Sequence, residues 1–168
     1  MLLSSCAIAK FAGYYASAGD PEQGDLNGEV FSSEYTTYRI GPLPGGWSKV
    51  KIEGGDLAFS NSSSGATITV NSTCDENKVK YSLKALSESL LIGINRKEAL
   101  ERQNITVDGQ EALRTIYAGS YNGVPLGIAS VVFKNGECVY DFTYASAPDA
   151  FEPGITDFDK FISAFRVM

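Results

Sequence analysis

The chain has 168 residues, 20 of them acidic, 14 basic and none histidine, for a formal charge of −6. That length suits one domain of about 130–150 residues with a tail, large enough to need neither a metal nor a dense disulfide framework. The lack of histidine excludes Ser-His-Asp and Cys-His catalysis, histidine-ligated zinc and imidazole acid–base chemistry, and no apolar run approaches the ~20 residues of a membrane-spanning helix.

The first motif along the chain is Leu3-Ser4-Ser5-Cys6. It resembles the bacterial lipobox, an aliphatic residue and two small ones before a cysteine. The resemblance implies that the Cys6 thiol receives a diacylglyceryl group, that residues 1–5 are the remnant of a signal peptide, and that cleavage frees the Cys6 amine for acylation. Export signals carry a basic region and an apolar stretch of about 7–15 residues, so an upstream start or a truncated leader is expected. Residues 6–34 are rich in Ala, Gly, Ser, Asp and Glu with little periodicity, and read as a flexible tether. As coil, the stretch from Cys6 to Thr36 reaches about 30 Å. A rival cleavage after Ala16-Ser17-Ala18 conflicts with Lys10, Tyr14 and Tyr15. The carboxylates of Asp20, Glu22 and Asp25 do not follow the Asp-x-Asp-x-Asp-Gly pattern of a calcium loop. The acidic bias belongs to this region: residues 1–34 carry a net −4 and residues 35–168 only −2.

Residues 35–168 read as a single domain. A strand is expected at Thr36–Gly41, then a Gly45-Gly46 turn that sets Trp47 at a sheet edge rather than in a ligand loop. Asp56–Ser60 and Ala66–Asn71 form a hairpin around the Ser62–Gly65 loop. Val79, Leu83, Leu86, Leu90 and Ile94 recur at three- and four-residue steps, which predicts a long amphipathic helix. Asp75 and Glu76 suit its start and Gly93 its end. Lys78, Lys80 and Lys84 fall on the solvated face of that helix, and Arg96-Lys97 stands alone, so no nucleic acid partner is expected. Asp108-Gly109, Asn122-Gly123 and Asn135-Gly136 are tight-turn dipeptides. They divide a meander of strands at Ala99–Val107, Gln110–Tyr121, Val124–Lys134 and Glu137–Ala145, with Pro125 tolerated near a strand start. A final helix is expected over Asp157–Arg166, capped by Thr156, with Phe158, Phe161, Ile162 and Phe165 on one face. The order β-β-α-β-β-β-β-α, with helices covering a mainly antiparallel sheet, is an α+β architecture.

The Leu43-Pro44-Gly45-Gly46-Trp47 segment, the hairpin, the long helix, the meander and the phenylalanine-rich last helix together resemble the PsbP-like superfamily, which includes the Mog-type Ran-binding protein. The resemblance spans residues ~36–167 and implies an α/β/α sandwich around an antiparallel sheet. It also implies a non-enzymatic role in binding larger protein partners. The histidines with which some members bind metal have no counterpart, so no metal and no cofactor are expected.

Export would place Cys74 and Cys138 in an oxidising compartment. Cys74 follows one predicted strand and Cys138 opens another, so a disulfide is expected, two separate buried thiols being the alternative. Glu98 with Glu101, or Asp56 with Glu53, are the available carboxylate pairs for glycoside hydrolysis, yet their spacing is that of surface charges. Ser62-Ser63-Ser64-Gly65 lacks a nucleophile elbow. Asn61, Asn71 and Asn104 lie in glycosylation sequons that matter only in a eukaryotic secretory pathway. Tyr117, Tyr121, Tyr140 and Tyr144 fit a partner-binding face and a core equally well. The expected function is therefore a non-catalytic protein-binding or assembly module of the cell envelope. Its expected partners are a membrane, reached through lipid on Cys6, and an envelope protein; with Ala7 after the cysteine, the membrane in a diderm bacterium is the outer one, facing the periplasm. The alternatives are a small-ligand carrier with a pocket between sheet and helix, and a carboxylate-dependent hydrolase. A carrier calls for a preformed apolar cavity, a module for a flat patch with exposed aromatics.

Overall fold

The computed structural model describes residues 24–52 and 55–168. The lipobox, Cys6, the first part of the tether and Glu53 lie outside them. Three short strands come first: β1 (Asp25–Asn27), β2 (Val30–Ser32) and β3 (Thr37–Arg39). They are followed by β4 (Trp47–Val50), β5 (Leu57–Asn61) and β6 (Thr67–Cys74). A 3-10 turn at Lys78–Lys80 leads to the short helix α1 (Leu83–Ser89). Then come β7 (Asn95–Val107), β8 (Gln110–Tyr121), β9 (Val124–Asn135) and β10 (Cys138–Ser146), the long helix α2 (Pro148–Ser163) and β11 (Arg166–Val167).

Turn chemistry sets the register of the meander. Val107 pairs with Gln110 and Tyr121 with Val124. The loop residues Asp108 (φ 49°) and Gly109 (φ 75°), and Asn122 (φ 49°) and Gly123 (φ 78°), are all left-handed, as a type I′ hairpin requires. The third turn is shifted by one. Asn135 pairs with Cys138, so the loop is Gly136-Glu137 with only Gly136 left-handed, the II′ pattern.

The large sheet runs β4-β5-β6-β10-β9-β8-β7, every pair antiparallel. Helix α2 packs on one face and α1 on the other, which makes the expected α/β/α sandwich. The α2 side holds the main core, where Phe133, Tyr140, Phe142, Phe158, Phe161 and Phe165 are all fully buried. Their rings meet edge-on or stacked: Phe142 and Phe165 lie 4.8 Å apart and nearly perpendicular. Phe31 and Tyr38 bring the four-stranded sheet β1-β2-β3-β11 into the same core, with Tyr38 stacked on Phe31 at 4.8 Å and tilted against Phe165 at 5.0 Å.

Three expectations are corrected. The tether does not extend to residue 34, because Asp25–Asn27 and Val30–Ser32 form a hairpin that buries Phe31 completely. Asn27 pairs with Val30, so its loop is Gly28-Glu29 with Gly28 at φ 62°, the same pattern as Gly136-Glu137 and again preceded by an asparagine. The domain therefore includes residues well before 35. The long helix is instead a 3-10 turn and a seven-residue helix, because Tyr81 is extended and Ser82 caps α1 by accepting a hydrogen bond from the Ala85 amide at 3.1 Å. Helix α2 begins at Pro148 rather than Asp157, so Thr156 lies inside it and caps nothing. Pro148 opens it, where a missing N–H is harmless. The interior Pro153 is tolerated one turn later.

Candidate functional site

The two faces of the large sheet differ in chemistry. On the α1 side, Thr69 of β6, Thr143 of β10, Ser130 of β9 and Thr115 of β8 stand directly opposite one another across four strands. All four are buried. Ser130 shares a hydrogen bond with Ser87 of α1 at 3.0 Å, and Ser87 shares another with the Tyr117 hydroxyl at 3.2 Å. The hydroxyls of Thr69, Thr115 and Thr143 find no partner among the described residues. One row further, the Asn71 amide donates to Asp141 Oδ1 at 3.0 Å. Burial raises the Asp141 carboxyl to a pKa of about 6, against the opposing pull of the Asn71 hydrogen bond and the Lys78 charge. Helix α1 is held at its outer edge by Arg102 of β7, which donates to Glu88 at 3.2 Å.

On the other side, α2 lies over β9 and β10, so the inner faces of β7 and β8 extend past it. The result is a groove of about 490 Å³, open to solvent. Strand alternation supplies Glu101, Gln103 and Ile105 from β7 and Arg114 and Ile116 from β8. Helical spacing supplies Glu152, Ile155, Asp159 and Ile162 from one face of α2. The isoleucines make an apolar floor. Above it, Arg114 donates to both oxygens of Asp159, at 3.0 and 3.1 Å, and to Glu101 at 3.4 Å. Its side chain is only 12% exposed. Such a two-pronged pair is stronger and better oriented than a single ion contact. It joins α2 to the β7–β8 ribbon and fixes both acids as partners of one guanidinium. Glu152 makes no ion pair among the described residues, so acids outnumber bases along the groove.

The residues singled out from sequence fall in several places. Cys74 and Cys138 stand opposite each other in register and are joined by a disulfide. Trp47 opens the edge strand β4, and its indole N–H donates to Asp157 of α2 at 2.9 Å, so it ties sheet edge to helix. Asp56 is buried and accepts hydrogen bonds from the hydroxyls of Tyr38 (2.9 Å) and Ser72 (2.6 Å). That contact and burial together push the Tyr38 hydroxyl well above its usual pKa, burial being the larger cause. Tyr117, Tyr140 and Tyr144 are core residues, and Tyr121 packs against the smaller cluster beside α1. Glu101 belongs to the groove, whereas Glu98 is exposed near a register shift of β7. Asn61 turns the Ser62–Gly65 loop by accepting from the Ser63 amide at 3.0 Å, and Lys84 lies beside Glu88 of α1 at 4.0 Å. Sequence reading did not single out Arg114, Glu152 or Asp159 as site residues; the i, i+3, i+7 spacing of 152, 155 and 159 was the available signal.

No protein-family model and no curated protein matches the sequence. Solved structures do share the fold. Cyanobacterial PsbP (CyanoP) from Synechocystis sp. PCC 6803 aligns with a TM-score of 0.55 and 16% identity, over 88% of this chain and 93% of that one. LpqN of Mycobacterium tuberculosis, described as involved in cell envelope biogenesis, aligns with a TM-score of 0.60 and 13% identity, over 88% and 90%. PA94 from Pseudomonas aeruginosa, of unknown function and described as a putative regulator, aligns with a TM-score of 0.51 and 12% identity, over 86% and 95%. The fold is thus PsbP-like.

Proposed function

We propose that this protein is a non-catalytic binding module of the bacterial cell envelope, held at a membrane through lipid on Cys6, that docks a protein partner along the groove between the β7–β8 ribbon and α2. The observation that carries the reading is the groove: an open apolar floor edged by charges that already hold one another. An open trough suits a segment of a macromolecule better than a small molecule, which is usually enclosed over most of its surface. The envelope location is supported by the lipobox resemblance, by a disulfide of the kind that persists in oxidising compartments, and by the fold shared with LpqN. In a diderm bacterium, Ala7 favours the outer membrane, facing the periplasm.

The test uses the full chain in its native cells. Photo-crosslinking side chains are placed at Gln103 and Glu152 beside the groove, and at Ser89 on the far face of the sandwich. A partner captured from both groove positions and not from Ser89 supports the reading. No capture, or equal capture from all three, refutes it. So does saturable turnover of an ester, glycoside or phosphate substrate that vanishes when one Asp or Glu is replaced. Intact mass decides the anchor separately, since an unmodified Cys6 thiol removes it.

A further inference from the structure

We propose that the groove takes an extended segment of its partner, added as an extra strand along the Glu101–Val107 edge of β7, with a basic side chain opposite Glu101 and an apolar one opposite Ile105. This rests on the docking reading above and specifies its chemistry. Among the described residues strand β7 is the last of its sheet and pairs only with β8, and its outer edge presents backbone N–H and C=O groups. The first half of that edge is unsuited to pairing. Register shifts between Asn95 and Glu98 and between Ala99 and Glu101, with Arg96 at φ 50°, twist it away. From Glu101 to Val107 the ladder with β8 runs without a shift. The regular half of the edge is also the half that borders the groove, where Glu101, Gln103 and Ile105 all face.

A strand added there continues the sheet wall of the groove and lays every second side chain over it. Charge selects which side chains. The Arg114 guanidinium spends three of its five N–H donors on Asp159 and Glu101, and two carboxylates already match its single charge, so an acidic partner gains little from it. Glu101, Glu152 and Asp159 against one arginine leave the trough negative. The isoleucine floor takes the apolar position.

The probe is a capped synthetic peptide in which threonine alternates with lysine and valine, with a second peptide carrying glutamate in place of lysine. Each is titrated into the purified full chain, and amide hydrogen exchange is followed across β7. The lysine peptide is expected to bind and to slow exchange at alternate amides between Glu101 and Val107, while the glutamate peptide does not bind. The double variant Glu101→Gln, Glu152→Gln should bind the lysine peptide about threefold to fivefold more weakly, the loss of one modest charge contact. Equal binding of the two peptides, binding without slowed exchange, no binding, or unchanged affinity in the double variant overturns the proposal. Failure here with groove-specific crosslinking intact removes the strand-addition model alone. Failure of the crosslinking removes the docking reading itself.

Discussion

Single side chains on the α1 face of the sheet have the sharpest consequences. Asp141 titrates near 3.8 in an unfolded chain and at about 6 in the fold. Between those values the folded protein binds more protons than the unfolded one, so stability is greatest below the window and is lost as pH rises through it. Urea midpoints should therefore fall between about pH 4 and pH 7, and Asp141→Asn should flatten that part of the profile. An unchanged slope in the variant would show that other groups set it. The hydroxyl row offers a second contrast. Thr143 has no partner for its buried Oγ1 among the described residues, so Thr143→Val should leave stability unchanged or raise it by up to about 1 kcal/mol. Ser130→Ala breaks the bond to Ser87 and should lower stability by about 1 kcal/mol in the same denaturation assay. If both substitutions cost the same, the threonine oxygen is satisfied by solvent.

At the scale of elements, helix α2 depends on a glycine in its middle. Tyr144 of β10 reaches up to it and donates to the carbonyls of Ala150 and Phe151, at 3.3 and 3.2 Å. A Cβ on Gly154 would collide with that hydroxyl and its ring. Gly154→Ala should accordingly destabilise the fold by about 1–3 kcal/mol, although alanine is the better helix former, and calorimetry would register it as a lower Tm. Pairing of this helix with a β10 tyrosine explains why its first half was illegible in the sequence. Pro153-Gly154 reads locally as a breaker, and only the tertiary partner makes the pair compatible with a helix. The opposite error befell α1, where apolar periodicity from Val79 to Ile94 persists through a segment whose backbone opens at Tyr81. The strand ends at the three meander turns were legible to within a residue, since the positive φ those turns require is a local property, whereas β7 starts four residues before the expected Ala99 and the first hairpin was read as tether. The groove was not legible. Its residues lie on three elements, and each of them alone looks like an ordinary strand or helix surface.

Over the whole molecule, one covalent link spans the layers' connectivity. Cys74 and Cys138 are separated by 64 residues in sequence, a stretch that contains α1 and the β7–β8–β9 ribbon. On the chain-entropy account, closing a loop of that size contributes about 4 kcal/mol, which would be a large share of the stability of a domain this small. The double variant Cys74→Ala, Cys138→Ala should lower the unfolding free energy by up to that amount, and the unvaried protein should show a comparable loss in reductant. The native sheet should survive in circular dichroism, because β6 and β10 remain paired along eight positions. Loss of the β-sheet signal would mean that the bond, rather than the ladder, holds these strands together.

The pairing of β11 with β3 bears on the order in which the molecule assembles. Arg166 and Val167 complete the small sheet opposite Arg39 and Tyr38, and Val167 also donates its amide to Asp108 at 2.9 Å. Elements far apart in sequence must therefore meet before Tyr38 can be sealed between Phe31 and Phe165. Loop-closure entropy makes such distant encounters slow, and topologies rich in them fold on the slower side of the two-state range. A growing chain could form the meander hairpins from local signals alone, yet its aromatic interior stays unsealed until β11 has emerged. During that interval the chain is sticky. A protein threaded through a translocon in an extended state would pass that interval at the far side of the membrane, where the segments that must meet arrive in order and β11 arrives last.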